Sequence, residues 1–197
     1  MARTPGEIAI MLDRLQGYFA AVTTGILLLN DEAALQLLSR NGYDPGARVR
    51  LGRSDNSYYE GIPFWDSIRA VRGNSGFNLD YLGSQLMTIL TWVGDELSRN
   101  NYFDRTPELE FFRHLRNAVS HGNLFHFAKG EPKRPARFKG FEITPALHGR
   151  AFLFEYMGAG DLFDLFDHVK AHLRTLEWAN QGSVAAPQGG RPEAAEG

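Results

Sequence analysis

Apolar residues recur at three- and four-residue steps along much of the chain, which is the period of an amphipathic α-helix. The first stripe predicts a long helix over residues 6–29, and Asp31 and Glu32 open a shorter helix that ends near Arg40. A short helix is predicted around Phe64–Val71. Another starts at Asn78, whose side chain can accept a hydrogen bond from a free backbone N–H. Its stripe is Leu79, Leu82, Leu86, Ile89, Leu90, Val93 and Leu97.

Two more helices are predicted from their end signals. Thr106 suits the N-cap and Pro107 the first helical position of one of them, and Gly122 is placed to end it in a left-handed conformation. Asp161 is predicted to cap the last helix, where its charge also suits the positive end. The core stripe of that helix is Leu162, Leu165, Phe166, Val169, Leu173 and Leu176.

The remaining segments follow other patterns. Residues 41–59 are predicted to form a long polar loop, whereas alternating residues predict two strands at 138–143 and 151–156, with Phe152, Phe154 and Tyr156 on one face and Gly140 at a bulge. The predicted fold is therefore mostly α, with an added β-hairpin before the last helix. We expect one domain over residues 1–180 and a disordered tail, rich in Pro, Gly, Ala and Glu, over residues 181–197.

Composition narrows the class of protein. The 197 residues are 43% hydrophobic and 22% charged, which is ordinary for a soluble globular protein. The absence of cysteine excludes a disulfide scaffold and thiolate metal sites, and it fits a reducing cytoplasm, where we expect the protein to reside. The longest apolar stretch is broken by two threonines and Gly25, so no membrane association is expected.

Basic residues are concentrated in one segment of this slightly acidic chain. The formal net charge is -2, yet residues 129–139 carry five basic residues and one acid. Lys133, Arg134, Arg137 and Lys139 are therefore candidates for binding the RNA backbone, with an affinity that falls with salt. A solvated loop explains the same residues equally well.

The helix that starts after Thr106 carries the residues of most chemical interest. On a helical wheel Phe112, Leu115 and Val119 cluster on the core side, with Phe111 nearby. Arg116 lies at the border and can bring its guanidinium round to the polar side. The polar side collects Glu110, Arg113, His114, Asn117, Ser120 and His121.

Arginine and histidine suit RNA cleavage without a metal. A base removes the proton of the ribose 2′-OH, a cation stabilises the phosphate as it gains charge, and an acid protonates the leaving oxygen. Arginine binds phosphate with two hydrogen bonds, and histidine is the usual base or acid. His121 lies at the helix C-terminus, where the macrodipole favours the imidazolium. Judged by geometry alone, an amphipathic helix with a solvated polar side is the better explanation.

The pattern Arg116-Asn117-x-x-x-His121 resembles the active motif of the HEPN superfamily (higher eukaryotes and prokaryotes nucleotide-binding). Segments 140–145 and 160–165 resemble a plasmid-associated HEPN family linked to defence and toxin–antitoxin systems. The specific similarity covers residues 106–180, and residues 1–105 match only as a helical bundle. The resemblance implies that Arg116 and His121 are catalytic and that Asn117 helps to orient them. Ser120, Arg113, His114 and Glu110 would support the site.

The resemblance further implies a metal-independent endoribonuclease that acts on RNA in antiviral defence or as a toxin. Such an enzyme needs no cofactor and works as a homodimer with two motifs facing across a cleft, and an antitoxin protein is a candidate partner. Two alternatives stay open: a non-catalytic HEPN module that binds nucleotide or a partner protein, and an interaction domain with no role in nucleic-acid chemistry. Asp164, His168 and His172 have a spacing that can hold a metal, but a solvated face is favoured for them.

Overall fold

The structure is a computed structural model that describes residues 2–72, 74–103 and 106–184. Its fold is mostly α, as predicted. The helices are α1 (Pro5–Leu28), α2 (Glu32–Arg40), α3 (Phe64–Val71), α4 (Ser75–Arg99), α5 (Pro107–Ser120) and α6 (Ala159–Val184). The strands are β1 (Arg48–Gly52), β2 (Tyr58–Pro63), β3 (Arg137–Phe138) and β4 (Phe141–Glu142), and a single 3₁₀ turn covers Pro145–Leu147.

The chain divides into two compact units. One comprises Met1–Asp13 and Leu90–Gly197, and the other comprises Arg14–Ile89. Helices α1 and α4 contribute residues to both. We expected one domain over residues 1–180, which requires that these units fold together, and this stays a prediction.

The unit of residues 14–89 contains a hairpin where a loop was predicted. Strands β1 and β2 pair antiparallel, with Val49 opposite Ile62 and Leu51 opposite Tyr59. The prediction of a loop over residues 41–59 is therefore wrong. Its failure has a physical reason, since both strands are exposed at nearly every position. A strand without a buried face shows no alternation of apolar and polar residues. In the same unit α2 begins where it was predicted to begin, and the Asp31 side chain caps it by accepting from the Ala33 N–H at 2.7 Å.

The core of the other unit is formed by facing stripes of α4, α5 and α6 and by the start of α1. Asp13 ties α1 to α6 at the edge of this core, accepting hydrogen bonds from Lys170 at 2.8 Å and Arg174 at 2.5 Å. Most of the predicted stripe residues of this unit are fully buried, among them Leu90, Val93, Leu97, Leu162, Leu165, Phe166, Val169 and Leu173. In the unit of residues 14–89, Leu86 of the α4 stripe is buried too. By contrast Leu79, predicted for the α4 stripe, is 53% exposed.

The hairpin before the last helix exists, but its strands are not the predicted ones. Strands β3 and β4 pair within residues 137–142, and Gly140 lies in the turn between them instead of at a bulge. The second predicted strand, 151–156, forms only isolated bridges. Phe154 explains this failure, since its φ of 71° turns the chain and breaks the alternation that Phe152 begins.

Three predicted boundaries shift. Helix α4 begins at Ser75, so position 78 lies inside the helix and not at its N-cap. Helix α6 begins at Ala159, so Asp161 belongs to its first turn. The same helix continues to Val184, beyond the predicted start of the tail, and residues 185–197 lie outside the described residues.

Hydropathy along the helices bears on the membrane prediction. Among the residues that the structure describes, no helix combines the length and the apolar character needed to cross a bilayer. The apolar second half of α1 falls short of that requirement too.

Asp161 stabilises the start of α6. Its carboxylate accepts a hydrogen bond from the Gly158 N–H at 2.9 Å, the return contact of a capping box. We expect Asp161→Ala to lower the free energy of unfolding by about 1 kcal/mol, measured by urea denaturation. Asp161→Asn retains an acceptor oxygen and loses only the charge, so it should cost less. Equal losses in the two variants would show that the charge and not the hydrogen bond matters.

Candidate functional site

Residues just outside α5 set both of its ends. Thr106 accepts a hydrogen bond from a backbone N–H of the first turn at 3.4 Å, and Pro107 occupies the first helical position, both as predicted. Gly122 has a φ of 69°, the left-handed conformation predicted for it. Because the helix stops at Ser120, the motif residue His121 is the C-cap residue.

The core side of α5 packs against two neighbours. The ring of Phe112 lies 6.3 Å from that of Phe166 in α6, centroid to centroid. The ring of Phe111 lies 6.3 Å from Phe138 and 6.5 Å from Phe141, in the β3–β4 hairpin. Helix α5 is thus held between α6 and the hairpin, and the predicted core side is confirmed for these two phenylalanines.

Part of the opposite side is also covered, which the helical wheel did not predict. Glu110 is 8% exposed and His114 only 3%. The ring of Phe127 lies 5.6 Å from His114, and a guanidinium nitrogen of Arg134 lies 3.8 Å from Glu110. The prediction that both residues belong to a solvated side is therefore wrong. The segment that covers them follows the helix in sequence, so the wheel does not contain it.

Arg113 satisfies both of these buried groups. Its Nε donates to Glu110 at 2.9 Å and its Nη2 donates to the His114 Nε2 at 3.1 Å. Because arginine only donates, Nε2 is the unprotonated nitrogen of a neutral ring. Burial and then the charge of Arg113 lower the pKa of His114, against opposing effects of Glu131 and Glu110. His114 is therefore a neutral acceptor inside the protein and not a proton donor at its surface.

Arg116 is held by a carboxylate from α4. Its Nε and Nη2 donate to Asp95 Oδ1 at 3.0 and 2.5 Å, and its Nη1 donates to Asn117 Oδ1 at 3.4 Å. The Arg116 side chain remains one-third exposed. Sequence reasoning did not select Asp95. The signal available was a Gly-Asp pair inside a strongly apolar helix, since such a glycine indicates a close approach.

Gly94 provides that close approach. A Cβ atom at this position would lie 2.6 Å from the Arg116 Cγ and 3.1 Å from its Cβ. These are atoms near the backbone of α5, not the flexible end of the side chain. Helices α4 and α5 can therefore meet here only because residue 94 has no side chain.

A shallow cavity of about 180 Å³ opens beside Arg116. Two guanidinium groups and one amide are among its lining groups, and such donors suit a phosphate or another oxyanion. The lining residues are Gly94, Ser98, Phe103, Arg113, Arg116 and Asn117.

His121 belongs to a cluster of three exposed imidazoles. Its ring is 4.5 Å from that of His126, with 33° between the planes, and the His126 ring is 5.2 Å from that of His148. The Phe127 N–H donates to His148 Nδ1 at 3.1 Å, which fixes the third ring. Sequence reasoning selected only His121. The signal for the other two was weak, because they lie in irregular segments where spacing does not predict contact.

The structure does not bring the two predicted catalytic residues into contact. Among residues 106–184 no hydrogen bond joins Arg116 to His121; Arg116 faces Asp95, while His121 faces His126. Five helical positions correspond to roughly 7.5 Å along the axis, a gap that one phosphodiester with its ribose can span. Ser120 is exposed and donates to the Arg116 carbonyl at 3.4 Å.

All four predicted RNA-binding residues are exposed, and two of them lie near carboxylates. Arg134 lies near the carboxylate of Glu110, and Lys139 pairs with Asp164. Lys133 and Arg137 are exposed. Glu110 precedes His121 by eleven positions, which is roughly 16 Å along a helix axis, so Arg134 lies near the end of α5 away from His121. Binding of RNA by this segment stays a prediction.

The metal-like spacing in α6 has another explanation in the structure. Asp164 pairs with Lys139, and the ring of His168 lies 5.6 Å from that of Phe138. Across residues 2–72, 74–103 and 106–184 there is no group of three or more His, Asp or Glu side chains placed to hold a metal ion.

Burial of neutral His114 should make stability depend on pH. The unfolded ring takes up a proton below about pH 6.5, whereas the folded ring, with its lowered pKa, takes it up only at lower pH. The free energy of unfolding should therefore fall as pH drops below 6.5, by up to about 1.4 kcal/mol per pH unit. His114→Gln keeps an acceptor for Arg113 and cannot titrate, so it should reduce this slope between pH 7 and pH 5. The exposed His168→Gln is the control, and equal slopes in the two variants would contradict the assignment.

A side chain at position 94 should displace Arg116. We expect Gly94→Ala to cost about 1–3 kcal/mol of stability, because Arg116 must move and its contact with Asp95 must change. Gly160→Ala is the matched control, since the added Cβ meets no atom within 4 Å there. Thermal unfolding of both variants measures the difference. A Gly94→Ala protein as stable as Gly160→Ala would show that α4 and α5 adjust freely.

Comparisons with protein-family models, with curated proteins and with solved structures find no match to this chain. The likeness to HEPN proteins therefore rests on the motif residues themselves. The mostly helical fold is established by the structure, and the activity is a matter for proposal and test.

Proposed function

We propose that this protein is a metal-independent endoribonuclease of the HEPN type. The observation that carries the proposal is the arrangement at the end of α5. A cavity lined by Arg113, Arg116 and Asn117 lies on the same helix as the exposed imidazole of His121. A phosphate in that cavity would receive hydrogen bonds from guanidinium groups while its ribose and leaving group extend towards the histidine.

The roles follow from the chemistry of each side chain. Arg116 stabilises the negative charge that develops on the phosphate when the 2′-oxygen attacks, and Asp95 and Asn117 fix the direction of its guanidinium. His121 exchanges protons with the reacting oxygens. The products are a 2′,3′-cyclic phosphate and a free 5′-hydroxyl, and the reaction requires no metal.

The setting proposed for this activity follows from the resemblance. RNA is the substrate, and Lys133 and Arg137 supply exposed cations for its backbone. A homodimer acting in the cytoplasm, in antiviral defence or as a toxin restrained by an antitoxin protein, completes the proposal. The lack of cysteine is compatible with that compartment.

A second candidate is a non-catalytic HEPN module that binds nucleotide or a partner protein. The ion pair between Arg116 and Asp95 favours it, because an arginine that serves packing between two helices is held in this way too. Exposure of one third of the Arg116 side chain favours the enzyme, since a purely structural arginine does not need access to solvent.

Cleavage of RNA in EDTA tests the proposal. The wild-type protein should cut a mixed RNA substrate and leave 2′,3′-cyclic phosphate ends. Arg116→Gln and His121→Ala should each lower the rate by about 10²–10⁴-fold, the usual contribution of one acid–base or charge-stabilising group. His168→Ala, which removes an exposed imidazole outside the site, should cut like the wild type. Folded Arg116→Gln and His121→Ala proteins with full activity would favour the non-catalytic module.

A further inference from the structure

The proposed reaction needs two proton-transfer groups, and the motif supplies one histidine. The structure places a second imidazole beside it. His121 and His126 are both exposed, and their ring centroids are 4.5 Å apart. With a hydrogen-bond reach of about 2.6–3.2 Å from each ring, two imidazoles at this separation can contact different oxygens of one phosphodiester.

The position of His126 is set by the backbone around it. Gly122 and Asn123 both have positive φ, 69° and 71°, and they reverse the chain directly after α5. The next residues are fixed on a second segment, because Asn123 exchanges hydrogen bonds with the backbone of Leu153 at 3.2 and 2.9 Å. Phe125 is buried at 1% exposure, so its neighbour His126 projects outwards beside His121.

The ring of His148 also packs against that of His126. The centroids of these two rings are 5.2 Å apart, and the His148 Nδ1 accepts the Phe127 N–H. The backbone between these residues is paired as well, since the Gly149 N–H donates to the Phe125 carbonyl at 2.8 Å. The ring of His126 therefore packs against two imidazoles, and one of these, His148, is itself oriented by a hydrogen bond.

We propose that His126 is the general base of this reaction and that it works with His121 of the same chain as the general acid. The inference rests on the proposed ribonuclease function and adds a catalytic residue to it. His121 is assigned as the acid because it is the C-cap residue at the negative end of the α5 dipole. His126, which lies beyond the helix, is then the base.

The step is balanced in protons and bonds. Neutral His126 takes the proton of the ribose 2′-OH as the 2′-oxygen forms its bond to phosphorus. The bond between phosphorus and the 5′-oxygen breaks, and His121 gives its proton to that leaving oxygen. The cyclic phosphate and the 5′-hydroxyl end are released. Exchange with water then returns both rings to their starting protonation states.

Two substrates separate the roles of the two rings. Besides RNA, the full-length protein is given uridine 3′-(4-nitrophenyl phosphate), whose leaving group departs without being protonated. We expect His126→Ala and His126→Asn to lose about 10²–10⁴-fold in rate on both substrates, because the attacking hydroxyl still needs a base. His121→Ala should lose as much on RNA and recover most of its rate on the nitrophenyl ester. Circular dichroism checks that each variant is folded, and His168→Ala is the matched control.

The possible results distinguish the failure of the His126 assignment from the failure of the proposed ribonuclease function. If the wild type cleaves neither substrate, both fail. If cleavage depends on Arg116 and His121 but His126→Ala and His126→Asn match the wild type, the ribonuclease stands and the base assignment is overturned. Recovery of His126→Ala on the nitrophenyl ester would also overturn it, because that ring would then be the acid.

Co-expression of two variants tests whether the pair belongs to one chain. A mixture of His121→Ala and His126→Ala chains contains no chain with both rings, so it should stay inactive at any ratio. Activity that returns in the mixture would show that the rings come from different chains and would overturn the single-chain arrangement. Activity of His126→Ala alone would instead support a site built from two copies of His121.

Discussion

The enclosure of helix α5 is the constraint on which the rest of the site depends. Aromatic packing holds one side of the helix, and the segment that follows it covers Glu110 and His114 on the other. A helix covered on both sides cannot rotate without exposing apolar groups or leaving buried polar atoms unpaired, and an unpaired buried group costs roughly 1–3 kcal/mol. Arg113 removes that second cost by donating to Glu110 and His114 together. The directions of Arg116 and His121 follow from this fixed orientation.

The carboxylate of Asp95 orients the Arg116 guanidinium and leaves some of its N–H donors unoccupied. Asp95 binds one edge of the Arg116 guanidinium through Nε and Nη2, and the contact of Nη1 with Asn117 is long, at 3.4 Å. A guanidinium has five N–H donors, so some remain for an oxyanion in the cavity. The ion pair that a structural arginine would form is thus also what a phosphate-binding arginine needs. The exposed third of the side chain and its place in the cavity wall separate the two roles by geometry.

Helices could be predicted from the sequence and tertiary contacts could not. The predicted bounds of α1, α3 and α5 match the observed ones closely, because the apolar period and the end signals of a helix are local features of the chain. Periodicity did not predict that the segment after α5 covers Glu110 and His114, nor did it predict β1 and β2, which bury no face at all. Arg116 and His121 could be chosen by residue type and spacing. Asp95 and His126 could not, because one lies on another helix and the other follows a chain reversal.

The two halves of the site depend on different parts of the fold. Arg116 is placed by the packing of α4 on α5, which requires glycine at position 94. The histidines are placed by the left-handed residues after α5 and by the backbone pairing that joins Asn123 to Leu153. Irregular segments held by a few hydrogen bonds open more readily than packed helices. Local opening would therefore separate His126 from His121 while the arginine stays in place, so the proposed oxyanion site would persist without the proposed proton-transfer pair.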